Sequence, residues 1–270
     1  MEYGSANSVL SSWYNFFMIA NPESKIDNKS PEYVEQEIFK KFLKIQLVFA
    51  DKARELNEIS KEDALIEYSS IYRNTLKLPW PISKNNPVWR EFIDKCLLSN
   101  DFAQSAWEFI QKHKGEEKKE SQKKKFGPFS YKYDQTKNSI ILHFSSEDRS
   151  VDPEKSSELR ANLKMMLNNI KTNYPEAIFF EGISWILKFI ARVLPKEFTA
   201  NTIIENGWFK SEAIWGQFKT SSGIRERSIK EFLEKVEKAK STEDLQNAFP
   251  YQILSAKCEI KHFYELYRIE

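Results

Sequence analysis

The sequence predicts an α+β protein, in which a helical domain over residues 1–110 precedes a mixed α/β domain with a small sheet over residues 126–270. Two patterns along the chain support this division. In the first part, apolar residues recur at spacings of three and four, the period of one face of an α-helix. In the second part, short runs alternate between apolar and polar residues, as in a half-buried strand. A chain of 270 residues is long enough for two domains that each bury a core.

Local start signals predict where the helices of the first part begin. Ser30 and Pro31 supply a cap and a first-turn proline, and the apolar face of a long helix follows them. The string from Ser60 to Asp63 resembles a capping box and predicts a second helix. Two shorter helices are predicted after a turn-rich connection, over residues 88–96 and 102–110.

The mixed domain begins with a predicted β-hairpin, whose strands at 129–133 and 139–144 flank a loop of about five residues. A short buried strand is predicted at 177–180, directly before the string Gly-Ile-Ser-Trp at 182–185. The other predicted elements are helices over 152–173, 184–194 and 229–236, a short capped helix from Ser241, and a strand over 251–260.

A charged segment over residues 111–125 separates the two domains. It contains seven lysines, three glutamates and no large apolar side chain. Such a segment cannot bury enough surface to offset the entropy lost on ordering, so we predict a linker or a frayed helix end. A tether to an anionic surface is the alternative, although the interleaved glutamates weaken its basic field.

Composition argues against several classes of protein. The chain has 41 basic and 39 acidic residues, so it has no overall basic field to attract nucleic acid. Its two cysteines and three histidines form no metal-ligand spacing, and we predict two buried free thiols and no metal site. The apolar run at 9–20 is too short and too interrupted to span a bilayer, so we interpret it as a core helix and expect a cytoplasmic protein.

The scarcity of glycine argues against a nucleotide cofactor. Only seven glycines occur, and none forms the glycine-rich patterns of a phosphate-binding loop or a dinucleotide fingerprint. Phosphate cradles usually need clustered glycines, because the backbone amides must approach the ligand closely. We therefore predict no cofactor.

A serine hydrolase is the catalytic hypothesis that the sequence suggests. Ser184 lies between a predicted strand and a predicted helix, the context of a nucleophile elbow, but Ile186 stands where that motif requires glycine. A nucleophilic serine also needs a base, for which His143 and His262 are the candidates. The structural alternative, which we favour, is that Ser184 caps the following helix and His143 bonds to a neighbouring strand.

Binding residues are predicted around two tryptophans. Trp208, Trp215 and Gln217 occur within thirteen residues, and a tryptophan-rich surface would be an interaction hot spot. The alternative, that both indoles fill the core, stays open, because the N–H group of a largely buried indole often lies at the solvated edge of a core. Arg160 is a further candidate for a binding residue, since its guanidinium suits a carboxylate or a phosphate. A role in a surface salt-bridge network is the alternative that we favour.

Five strings in the second half resemble a family of uncharacterised proteobacterial proteins. They are LHF at 142–144, YP at 174–175 followed by EGISWI at 181–186, AIWGQF at 213–218, FPYQI at 249–253 and HFYELY at 262–267. The resemblance covers residues 129–269 and implies a shared fold for that part of the chain. The family has Tyr-Asn where this chain has Leu187 and Lys188, and glycine where it has Arg268.

Two hypotheses of function follow from these observations. The first is a non-catalytic cytoplasmic interaction protein, an adaptor or a subunit of a larger bacterial assembly, because the chain is rich in aromatic residues and poor in catalytic ones. The second is a small-molecule hydrolase or transferase with a pocket around Ser184, His143 and Arg160. Convergence of these three side chains in one concavity would distinguish the enzyme from the interaction protein.

Overall fold

Helices make up the first part of the chain, as the sequence predicts. The computed structural model describes residues 30–78, 81–113, 124–144, 156–202, 209–210, 212–220 and 223–270. Helix α1 (Pro31–Asn57) begins where the side chain of Ser30 accepts a hydrogen bond from the amide of Tyr33. Helix α2 (Lys61–Glu67) begins in the same way, with Ser60 accepting from the amide of Asp63. Both predicted helix starts are therefore confirmed.

The helical part continues through a π-helical turn (Ile71–Thr75) to α3 (Pro87–Leu97) and α4 (Phe102–His113). The side chain of Asn86 caps α3 by accepting from the amides of Val88 and Trp89. The capping carbonyl oxygen offsets amides that the first turn of a helix cannot pair internally.

Strands and helices alternate irregularly along the mixed part of the chain. They are β1 (Phe129–Asp134), β2 (Ser139–Phe144), α5 (Ser156–Asn173), β3 (Phe179–Ser184), α6 (Leu187–Ile190), β4 (Ala200–Thr202), α7 (Glu212–Trp215), β5 (Lys219–Thr220), β6 (Gly223–Ile224), α8 (Glu226–Lys238), α9 (Thr242–Ala248), β7 (Leu254–Glu259) and α10 (Lys261–Tyr267). Short 3₁₀ turns follow α6 and α7. The predicted hairpin is confirmed, and so is the α+β fold class.

Five strands form one mixed sheet in the order β1-β2-β3-β7-β4. Strands β2 and β3 are parallel and lie on either side of α5 in the sequence, whereas the other neighbours are antiparallel. Strands β5 and β6 form a separate two-stranded ribbon. The parallel pair requires a long crossover, which the chain supplies between Phe144 and Phe179.

The two faces of the sheet differ in chemistry. On one face, the buried side chains of Leu142, Phe180 and Ala256 pack under helices α5 and α10, and Phe180 lies 4.3 Å from the ring of Phe263 in α10. The opposite face carries polar and partly exposed side chains, among them Lys132, His143, Glu181, Ile183 and Lys257. Alternation along each strand explains the division, because successive side chains point to opposite faces.

Phe49 of α1 joins the helical part to the mixed part. Its fully buried ring lies 5.0 to 5.8 Å from four rings that lie between β4 and β7 in sequence, those of Phe209, Trp215, Phe232 and Phe249. These five rings, which we call the aromatic hub, bury a large apolar area, and Phe49 meets the other four at tilted, edge-on and stacked angles. The two parts therefore share one core.

Polar contacts at the rim of the hub join the same two parts. The ammonium of Lys210 lies 2.6 Å from the carboxylate of Glu67, and the amide of Asn74 donates to the carbonyl of Lys210. Lys41 pairs with Glu226 at 2.7 Å. Surface pairs of this kind contribute little to stability, so the rings provide most of the connection between the two parts.

Two sequence predictions need adjustment against these boundaries. Strand β3 extends to Ser184, so the helix predicted over 184–194 is reduced to α6 and a 3₁₀ turn over Ala191–Val193. Helix α4 continues to His113, and residues 114–123 of the charged segment lie outside the described residues. The division into domains at 111–125 therefore stays a prediction, as does the helix at 9–20, which also lies outside the described residues.

None of the helices in the described ranges is long and apolar enough to cross a membrane.

The aromatic hub predicts a large loss of stability on truncation of Phe49. We expect Phe49→Ala to lower the free energy of unfolding by about 3–5 kcal/mol, the usual cost of removing a buried phenyl ring. Chemical denaturation followed by circular dichroism and tryptophan fluorescence measures the change. Leu98→Ala is the control, because Leu98 is 87% exposed, and it should change stability by less than about 0.5 kcal/mol. Two separate unfolding transitions, of which Phe49→Ala moves only one, would contradict a shared core.

Candidate functional site

Three aromatic side chains form a cluster at the protein surface, near the end of β3. The rings of Trp185 and Tyr251 are stacked, with centroids 5.3 Å apart and planes 11° from parallel. Phe189 lies edge-on to both, at 5.9 Å from Trp185 and 5.0 Å from Tyr251. We call these three residues the aromatic triad.

The triad is partly open to solvent. Tyr251 is 39% exposed and Phe189 is partly exposed, while Trp185 is buried beneath them with 8% of its surface accessible. Trp185 and Phe189 are four residues apart, across the turn between β3 and α6, and this spacing brings their side chains together. Tyr251 approaches from the segment that leads into β7, which pairs with β3.

Gln217 fixes Tyr251 from beneath. Its side-chain oxygen accepts a hydrogen bond from the amide of Tyr251 at 2.9 Å, and its nitrogen donates to the carbonyls of Ile214 and Tyr251 at 2.7 and 3.4 Å. The Gln217 side chain is 1% exposed, so these bonds form in a region of low dielectric. Gln217 therefore holds the backbone that carries the exposed ring.

Ser184 and two arginines hold the other side of the triad. The hydroxyl of Ser184 accepts from the amide of Ile186, within the turn that carries Trp185. The guanidinium of Arg192 donates to the carbonyl of Phe189 at 2.6 Å and to the hydroxyl of Ser156 at 2.7 Å. Arg160 in turn donates to the carbonyl of Arg192 at 2.6 Å. Ser184 thus shapes the turn before α6, whereas we expected it to cap the helix itself.

The three residues of the predicted catalytic pocket do not assemble. Ser184 lies on the helix-covered face of the sheet, in alternation with Phe180 and Gly182, whereas His143 lies on the opposite face. Arg160 is exposed on α5, where its guanidinium donates to the backbone carbonyl of Arg192. His262, the other candidate base, lies at the start of α10, where it faces Glu265 at 3.7 Å.

Gly182 has a packing role, in keeping with the structural alternative to a nucleophile elbow. A Cβ atom at this position would lie 3.2 Å from the ring of Phe198 and 3.5 Å from the side chain of Leu187. The glycine lets these side chains close over β3, so the string Gly-Ile-Ser-Trp is explained by core packing and a turn.

The structure resolves the position of one of the two predicted tryptophans. Trp215 is fully buried in the aromatic hub, and its indole nitrogen donates to the carbonyl of Phe209 at 2.6 Å. Of the two alternatives left open for Trp215, the structure therefore shows the core position. Gln217 is buried as well, so the prediction of these two residues as binding residues is corrected. Trp208 lies outside the described residues.

A polar cluster on the open face of the sheet surrounds Glu181. Its carboxylate lies 2.6 Å from the ammonium of Lys257 and accepts a hydrogen bond from Ser139 at 2.9 Å. Burial by itself raises the pKa of Glu181, but the hydrogen bonds from Lys257 and Ser139 outweigh it and hold the pKa below its usual value. The Lys257 ammonium also lies 4.2 Å from the ring of Phe179, in a cation–π contact.

Metal and thiol chemistry receive no support from the described residues. No group of three or more histidine, cysteine or acidic side chains is placed to hold a metal ion in these ranges. Cys96 and Cys258 are free thiols, as predicted, but only Cys96 is buried, whereas Cys258 is partly exposed. Burial raises the pKa of Cys96 to about 12 and that of Cys258 to about 11, so both stay protonated and weakly nucleophilic near neutral pH.

No protein-family model matches the chain, and no curated protein or solved structure matches it either. The resemblance of residues 129–269 to a family of proteobacterial proteins therefore stays a prediction.

Sequence reasoning missed Phe189 and Tyr251 as site residues. A signal for the first exists, because Trp185 and Phe189 have the spacing of neighbours on one helix face. Tyr251 carries no comparable local signal, since its contact with Trp185 depends on the pairing of β7 with β3.

Gln217 offers a test of how the triad is held. We expect Gln217→Met, which keeps the length of the side chain, to lower the free energy of unfolding by about 1–3 kcal/mol, because the amide and carbonyl of Tyr251 lose their buried partner. Chemical denaturation measures the loss, and Gln135→Met on the exposed hairpin loop is the control. Equal stability of the two variants would show that Gln217 does not hold Tyr251.

Glu181 predicts a pH-dependent contribution to stability. Because its pKa is lowered in the folded state, its contribution is present above the pKa of the unfolded chain and is lost as pH falls through the folded-state pKa. We expect Glu181→Gln to destabilise the protein by about 1 kcal/mol near neutral pH. Unfolding curves recorded from neutral to acidic pH should show this difference shrinking as the pH falls. Glu237→Gln, at an exposed position of α8, should give a small difference, and a constant penalty for Glu181→Gln at all pH values would refute the assignment.

Proposed function

We propose that this protein is a non-catalytic interaction protein, which acts in the bacterial cytoplasm as an adaptor or as a subunit of a larger assembly. The observation that carries the proposal is the aromatic triad of Trp185, Phe189 and Tyr251, in which stacked rings reach the surface on a backbone fixed from below. Tyrosine and tryptophan are enriched at interaction hot spots. A rigid aromatic anchor also loses little conformational entropy when a partner covers it.

The alternative of a hydrolase or transferase around Ser184, His143 and Arg160 has weaker support. It requires a nucleophile beside a base, and these two side chains lie on opposite faces of the sheet. Ser184 also uses its hydroxyl as an acceptor for the amide of Ile186. The hypothesis of an interaction protein does not require these two side chains to meet.

Loss of a partner on truncation of the exposed ring tests the proposal. We expect Tyr251→Ala to release from the affinity-purified protein at least one partner that the wild-type chain retains, because hot-spot aromatic residues contribute about 2 kcal/mol or more to binding. Quantitative mass spectrometry of proteins recovered with each variant from the native host is the measurement.

Two further variants make this experiment decisive. Tyr251→Phe keeps the stacked ring and should keep the partner, and Leu98→Ala removes an exposed apolar side chain elsewhere and should also keep it. Circular dichroism must show that Tyr251→Ala is folded. If folded Tyr251→Ala retains every partner in the wild-type amount, the triad is not the interaction surface.

A further inference from the structure

The surroundings of the aromatic triad have a consistent charge. Residues 182–196, which carry Trp185 and Phe189, contain three basic residues and no acidic residue. Lys188 is exposed and immediately precedes Phe189. Arg192 and Arg160 are linked to the backbone of the same segment through the carbonyls of Phe189 and Arg192. We call Lys188, Arg192 and Arg160 the basic collar of the triad.

Two members of the collar lack an acidic partner among the residues that the structure describes, since neither Lys188 nor Arg160 forms an ion pair there. Some lysines elsewhere on the surface do pair, as Lys41 does with Glu226 at 2.7 Å and Lys257 with Glu181 at 2.6 Å. The chain as a whole is nearly neutral, so the excess of basic over acidic residues within 182–196 is a local feature of the sequence.

We infer that the aromatic triad and its basic collar bind an acidic peptide segment of a partner protein, one that carries a large apolar side chain among its carboxylates. This inference rests on the proposed function and specifies the partner. The apolar side chain covers Phe189 and Tyr251, where burial of aromatic surface provides the affinity. The carboxylates meet Lys188 and Arg160, where charge complementarity provides selectivity and speeds association.

The geometry favours a peptide over a single-stranded nucleic acid. Bases bind by stacking on open aromatic faces along a continuous basic groove. Here Tyr251 already covers one face of Trp185, with the two planes 11° apart. Phe189 packs edge-on against Tyr251, at 89° and with centroids 5.0 Å apart, so the triad presents no row of open faces on which successive bases could stack. Three basic groups are also few for a backbone that carries a phosphate at every nucleotide.

Selection from a random peptide library displayed on phage, with the full chain as bait, tests the inference. We expect the enriched peptides to carry a net negative charge and at least one large apolar residue. Synthetic copies labelled with a fluorophore then give dissociation constants by fluorescence anisotropy. Binding should weaken when salt is raised from about 50 mM to about 300 mM, because exposed charges are screened over that range.

Matched variants assign the binding to this surface. Tyr251→Ala and Lys188→Glu should each weaken binding about tenfold or more, because the first removes the anchor and the second reverses a contacting charge. Lys132→Glu makes the same change of charge at an exposed position of β1 and should alter affinity by less than about twofold, as should Leu98→Ala. Tyr251→Phe should bind like the wild type.

Several outcomes would overturn the inference. They are enrichment of neutral or basic peptides, failure to enrich any peptide, or equal loss of affinity in Lys188→Glu and Lys132→Glu. Tighter binding of a labelled oligouridylate, or of phosphatidylserine vesicles, that depends on Tyr251 would assign the surface to another class of ligand. If the partner recovered from the host depends on Tyr251 but not on Lys188, the proposed function stands and the acidic partner is refuted.

Discussion

The packing of Phe49 against rings from the second half of the chain is the interaction on which the rest of the structure depends. Its neighbour Trp215 ends α7, and the next turn places Gln217 beneath the backbone of Tyr251. A core helix is thereby connected to an exposed ring through two buried side chains. Because buried side chains are closely packed, a displacement of Phe49 is transmitted through these contacts to Tyr251. The aromatic hub thus stabilises the fold and also positions the surface triad.

The sheet determines which polar side chains can act together. Strands β2 and β3 are parallel neighbours, so Ser184 and His143 come close along the sheet, yet the alternation of side chains places them on opposite faces. A shift of register by one residue would bring them to one face, but it would also expose Phe180 and bury Glu181. The hydrophobic pattern of β3 excludes that shift. The same pattern leaves the end of β3 free to carry Trp185 beneath the exposed ring of Tyr251.

Local features of the fold could be predicted from the sequence, whereas contacts between distant segments could not. Ser30 and Ser60 mark helix starts because a cap is an interaction within four residues, and the hairpin at 129–144 is equally local. Whether Trp215 is buried depends on α1, far away in the sequence, so spacing alone left both alternatives open. The triad has the same origin, since Tyr251 reaches Trp185 only through the pairing of β7 with β3.

The contrast between Tyr251 and Leu98 shows why exposure alone does not identify a binding surface. Leu98 is more exposed, at 87%, but it stands alone after the end of α3, and isolated apolar residues are ordinary at protein surfaces. The ring of Tyr251 is stacked on that of Trp185, and the Tyr251 backbone donates one hydrogen bond to the buried side chain of Gln217 and accepts another from it. Such ordering costs conformational entropy during folding, so less remains to be lost when a partner binds. Gln217 therefore contributes to recognition from within the core, by holding in advance the ring that the partner must cover.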